Sequence, residues 1–91
     1  MRYLESSSFV RSIKKLSHQR KESIKKSISY LVEFFETGIL LPGLGLKQLT
    51  PALWEIRSGL LDRIIFRWNE DRIEFIIVGT HDKIKRYLKN I

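Results

Sequence analysis

The sequence predicts an α+β domain, a helical hairpin packed on a small antiparallel sheet, and three observations support this. Two successive stretches carry apolar residues at helical spacing, Phe9-Val10-Ile13-Leu16 and then Ile24-Ile28-Leu31-Val32-Phe35. Three later stretches are rich in β-branched and aromatic residues and are separated by short turns. The chain has 91 residues, the length of a single domain (1–91) with a thin core. The expected order is β-α-α-β-β-β, closed by a short C-terminal helix.

Arg2-Tyr3-Leu4 reads as an edge strand. Ser6-Ser7-Ser8 supplies hydroxyls suited to capping the first helix, because a side-chain oxygen can accept from an otherwise unpaired N–H of the first turn. Ser17-His18 interrupts the pattern, and the second helix follows. Its polar face carries Arg20, Lys21, Lys25, Lys26 and Ser29, and Gly38 ends it as a left-handed cap. From residue 38 to 52 the helical period disappears. Leu40-Leu41-Pro42-Gly43-Leu44-Gly45-Leu46 is a loop with a defined path, and Thr50-Pro51-Ala52 is a turn. The strands are then Leu53–Arg57, Arg63–Trp68 and Ile73–Val78, divided by Ser58-Gly59 and Asn69-Glu70-Asp71. The third is nearly all apolar and is expected to be central. Gly79-Thr80-His81 breaks it, and Asp82–Asn90 forms the last helix with Ile84 and Leu88 inward.

Composition limits the chemistry. Lys and Arg number 17 against 10 Asp and Glu, giving a net charge of +7, which favours anionic partners. Cysteine is absent, which excludes disulfides, thiolate zinc sites and cysteine nucleophiles. No apolar run approaches the ~20 residues of a membrane span, and the first residues carry no secretory pattern. A cytoplasmic protein without a membrane role is expected.

Alternation along the strands puts Glu55 with Arg57, and Arg63 with Arg67, on one side of their respective strands. If those sides coincide, the sheet face opposite the hairpin is lined with guanidinium groups. Such forks donate paired hydrogen bonds to phosphate and can stabilise a pentavalent transition state, or they are solvated edge residues paired with Glu55, Asp62 or Glu74. His81, at a strand end beside a glycine, is either a proton donor or acceptor near neutrality or a surface residue at a helix start. Tyr87 either packs inward or offers its ring to a base. Trp54 and Trp68 either fill the core or rim the site. Lys83, Lys85, Arg86 and Lys89 form a basic run beside His81. No metal-ligand spacing and no phosphate-binding glycine motif are present, so an enzyme here is expected to use neither metal nor cofactor. RNA is the natural substrate for such an enzyme, because its 2′-hydroxyl supplies the nucleophile.

The helical hairpin, Leu46-Lys47-Gln48-Leu49, Leu53-Trp54-Glu55-Ile56-Arg57, Arg63-Ile64-Ile65-Phe66 and Gly79-Thr80-His81 together resemble the RelE/ParE superfamily of type II toxins across nearly the whole chain. The Leu-Trp-Glu-Ile-Arg phrase is similar to the HigB branch and the Gly-Thr-His ending to the YafQ branch. The resemblance implies an mRNA interferase, a metal-independent endoribonuclease acting on mRNA in the ribosome. By position it implies phosphate contact by Arg57, transition-state stabilisation by Arg63, protonation of the leaving oxygen by His81 and an aromatic substrate contact by Tyr87. Arg67, Lys47 and Lys83 would bind substrate, and Arg20, Lys21, Lys25 and Lys26 would meet ribosomal RNA. Glu55 stands where the RelE branch carries lysine, and is either a general base or the residue that orients Arg57. The resemblance also implies an acidic, neutralising antitoxin and a heterotetramer with it. The ParE branch, which poisons DNA gyrase on the same fold, and an inactive binding module are the alternatives.

Overall fold

The computed structural model describes residues 1–90. Its elements run β1 (Arg2–Glu5), α1 (Ser7–Lys14), α2 (His18–Thr37), β2 (Lys47–Gln48), β3 (Leu53–Ser58), β4 (Asp62–Asn69), β5 (Arg72–Thr80) and α3 (His81–Lys89). They form three helices and one five-stranded sheet of order β1-β5-β4-β3-β2. The α+β class, the helical hairpin and the antiparallel β3-β4-β5 meander follow the sequence reading.

The sheet as a whole is mixed, because β1 lies parallel to β5, with Tyr3 opposite Ile73. The second difference is β2, two residues within the expected loop that pair antiparallel with Glu55 and Trp54. Third, β5 continues through Gly79 and Thr80 and does not break there, and β4 occupies the centre of the sheet. The last helix therefore begins at His81, one residue earlier than expected.

Each helix starts where a hydroxyl can satisfy its first turn. Ser6, Ser17 and Thr80 accept from the backbone N–H of Phe9 (3.0 Å), Arg20 (3.3 Å) and Lys83 (3.4 Å). Gly38 closes α2 at φ +79° and donates its N–H to the Phe34 carbonyl, the left-handed ending anticipated for it.

The sheet separates two apolar layers. On one side α1 and α2 bury Phe9, Ile24 and Leu31 against Ile56, Ile64, Phe66, Ile73, Phe75 and Val78. Each such side chain contributes roughly 1.5–3 kcal/mol on burial. Trp54 and Trp68 belong to this side, with ring centroids 4.9 Å apart, and Phe35 meets Trp68 edge-on at 4.7 Å. Both tryptophans thus pack, half-buried, against this core. On the other side α3 lays Ile84 over Leu53, Ile65 and Ile76, so the sheet face opposite the hairpin is partly covered. A register shift between β4 and β5 at Ile65/Phe66 puts an extra residue on β5 and adds local twist there.

Arg20 departs from the basic face predicted for α2. Its Nε and Nη2 donate to both oxygens of Asp62, at 2.9 and 2.5 Å. The Asp62 side chain is only 2% exposed and the Arg20 side chain 30%. The hydrogen bond to Asp62 makes the Arg20 guanidinium still harder to deprotonate than usual. The pair ties the start of α2 to the β3–β4 hairpin.

Candidate active site

The cleft is built from neighbours across strands. Antiparallel register puts Arg57 of β3 directly opposite Arg63 of β4, and Lys47 of β2 opposite Glu55 of β3. Side chains at directly opposed positions are close, and like charges there repel. The alternation of β3 and β4 sends their apolar partners Ile56 and Ile64 to the helix-covered side, so these polar side chains share the opposite face. The first turn of α3 then sets His81 at the margin of that face.

Lys47, Glu55, Arg57, Arg63 and His81 line a single cleft of about 320 Å³, together with Gly45 and Lys85 and an apolar wall of Leu49, Ile84 and Leu88. Four permanent cations therefore surround one carboxylate. Glu55 Oε2 lies 3.9 Å from Arg63 Nε, and both side chains are largely buried. The carboxylate consequently pairs with Arg63, one of the forks for which an acidic partner was considered from sequence, and not with Arg57. Arg63 also donates from Nη1 to the Asp62 carbonyl at 3.4 Å, which helps fix the fork in place.

Arg57 is positioned by a feature that sequence reasoning did not assign to the site. The loop after α2 buries Leu44 in the core, and the Arg57 backbone N–H donates to the Leu44 carbonyl at 2.8 Å. The next residue, Gly45, has φ +67° and lies flat against the Arg57 stem. A Cβ there would stand 2.8 Å from Arg57 Cγ and 2.9 Å from Cδ. The sequence signal was the Gly43-Leu44-Gly45 triplet, an apolar anchor between two conformationally free residues. Lys85 was visible only as one member of the basic run. It reaches the cleft because it follows His81 by four residues, as Ile84 and Leu88 follow by three and seven.

Three expected residues lie elsewhere. Tyr87 is six positions after His81, which turns it off that stripe, and it packs half-buried against the apolar layer under α3. Arg67 shares the face but sits further along β4, where its Nη1 donates to Glu74 Oε1 at 3.0 Å. Lys83 points toward α1 and lines a separate hollow with Arg11 and Lys14. Lys25 and Lys26 line a hollow on the polar face of α2, remote in the chain from the cleft residues.

Among the described residues, no three His, Cys, Asp or Glu side chains gather as a metal set. No helix among them is long and apolar enough to cross a membrane.

No family model matches the chain, and no curated protein matches it. Solved structures do. A chain of the RelB–RelE antitoxin–toxin complex from Methanococcus jannaschii superposes with a TM-score of 0.69 at 24% identity, over 92% of this chain and 96% of that one. YafQ from E. coli strain BL21(DE3) gives 0.67 at 14% identity, over 92% and 98%. The YoeB/ParE toxin from Agrobacterium tumefaciens gives 0.65 at 18% identity, over 89% and 99%. The fold is that of RelE-like toxins.

Proposed function

We propose that this RelE-like fold serves a type II toxin that cleaves mRNA in the ribosome, without a metal, through attack by the message's own 2′-hydroxyl. The observation that carries the reading is the convergence of Lys47, Glu55, Arg57, Arg63 and His81 on one cleft.

In this mechanism Arg57 and Arg63 grip the scissile phosphate, whose charge relieves their mutual repulsion across the strands. Lys47 and Lys85 add field from the rim. Glu55, the one carboxylate among the described residues of the cleft, takes the proton from the 2′-hydroxyl as that oxygen bonds to phosphorus. Charge on the pentavalent phosphorane is held by the guanidinium groups, of which Arg63 is already anchored by Glu55 and the Asp62 carbonyl. His81 gives a proton to the departing 5′-oxygen as the P–O bond breaks. The products are a 2′,3′-cyclic phosphate and a free 5′-hydroxyl. The ribosome's part is to present the message extended, since a flexible strand pays an ordering cost that a cleft of about 320 Å³ cannot offset.

An acidic antitoxin suits the same surface, since a carboxylate-bearing segment would pair with the cations that phosphate otherwise meets. Complexes with antitoxins are among the solved neighbours, including DinJ–YafQ of E. coli.

Induced expression followed by primer extension on translated mRNA tests the reading. New 5′ ends within codons are expected. His81→Ala should lower cleavage by about 10²–10⁴-fold, the usual worth of a general acid. Arg63→Ala should lower it by about 10²–10³-fold. DNA breaks with intact mRNA would replace this reading with a gyrase poison. Absence of growth arrest would leave a binding module. Undiminished toxicity in both folded variants would remove the cleft from the mechanism.

A further inference from the structure

We propose a second RNA-binding surface on the far side of α3 from the cleft, where Arg11, Lys14 and Lys15 of the α1 end meet Lys83 of α3 and grip the phosphates of the strand that leaves the cleft. The proposal rests on the reading of the chain as an RNA-acting protein.

The four cations surround a hollow of about 370 Å³, and among the described residues no carboxylate lines it. Among the described residues none of the four is in an ion pair. Asp82, the neighbour of Lys83 in sequence, does not line the hollow. The hydroxyls nearby are already committed. Ser12 Oγ donates to the Phe9 carbonyl at 2.8 Å and accepts from Val78 N–H at 3.2 Å, and Ser8 accepts from Arg11 at 3.3 Å. What remains unsatisfied is positive charge, which selects an anion.

Lys83 is held in this arrangement by the strand beneath it. Its stem lies on Gly79, where a Cβ would meet Lys83 Cγ at 3.1 Å and Cβ at 3.2 Å. The same turn of α3 therefore sends His81 and Lys85 into the cleft and Lys83 to the other side. A helix is about 10–12 Å across, so a strand seated in the cleft reaches the second surface within a short stretch of backbone. A protein partner would want an apolar centre, and Ile77 is the only large apolar residue lining this hollow.

The experiment uses a labelled single-stranded RNA oligonucleotide titrated over a range of salt concentrations. It is done in the full chain carrying His81→Ala, so that the probe survives. Adding Lys14→Gln and Lys83→Gln removes two phosphate contacts and should lower the log–log salt slope by about 1.4. Arg2→Gln with Arg72→Gln, the same loss of charge where β1 and β5 begin, should leave the slope unchanged. An unchanged slope in the first pair, or an equal fall in both pairs, would overturn the proposal. A polyglutamate peptide that loses affinity in the first pair while RNA does not would reassign the surface to an acidic protein. Intact mRNA cleavage by the chain that keeps His81, together with an unchanged slope in the His81→Ala background, would sink this surface alone. A missing cleavage activity with the expected slope would sink the nuclease reading alone.

Discussion

Replacing Gly45 with alanine should disable the cleft through Arg57. The new Cβ would lie 2.8 and 2.9 Å from two carbons of the Arg57 stem. Carbon pairs settle near 3.5–4.0 Å, so the stem must withdraw by roughly 1 Å. A positive φ of +67° also costs an alanine about 1–2 kcal/mol. The thermal midpoint should therefore fall by about 4–8 °C for each kcal/mol in a domain of this size. A reacting group misplaced by about 1 Å can cost about 10²-fold in rate, so codon-internal cleavage in a translation reaction should drop by up to that factor. The decisive arm is the pair of substitutions together. In an Arg57→Ala chain the obstructed side chain is gone, so adding Gly45→Ala should lower stability a little and cleavage no further. Full cleavage in Gly45→Ala, or independent losses in the double variant, would refute the positioning argument.

Two other outcomes are expected. Arg20→Met strands a buried Asp62 carboxylate and should cost about 3–5 kcal/mol in urea unfolding, far more than loss of a surface ion pair. Tyr3 has a buried hydroxyl with no partner, and burial, reinforced by the Glu36 charge, raises its pKa above 10.0. The folded state thus holds the Tyr3 proton more tightly, so stability from this group is complete below pH 10.0 and declines as pH rises toward the folded value. Tyr3→Phe should abolish that alkaline decline in a pH series of unfolding curves and be neutral or stabilising at pH 7.

Much of this molecule was legible because its signals are local. Period-two alternation put Glu55, Arg57 and Arg63 on the sheet faces they occupy. Serine and glycine marked the helix ends by the unpaired backbone groups they satisfy. What escaped was set by distant partners. A two-residue strand such as β2 has no periodicity to detect, and it exists because β3 has an edge to pair. Parallel pairing of β1 depends on where the hairpin returns the chain. Arg20 has the wheel position of a solvated residue, and only the buried Asp62 draws it in. The alternation of β4 contained that clue, since two steps back from Ile64 places Asp62 on the helix side. Tyr87 was singled out by its distance along the chain, but helical rotation, not distance, decides which side a residue faces. Placing it needed the true start of α3 at His81.

The first strand of this chain has its only neighbour near the other end. Ser6 Oγ donates to the Ile76 carbonyl at 2.8 Å across a separation of 70 positions, and β1 runs beside β5. During synthesis, therefore, the amino-terminal helices emerge before the strands they cover, and the greasy stripe of α1 stays wet until β5 leaves the exit tunnel. The same interval leaves the unfinished chain open to capture by a binding protein or to proteolysis.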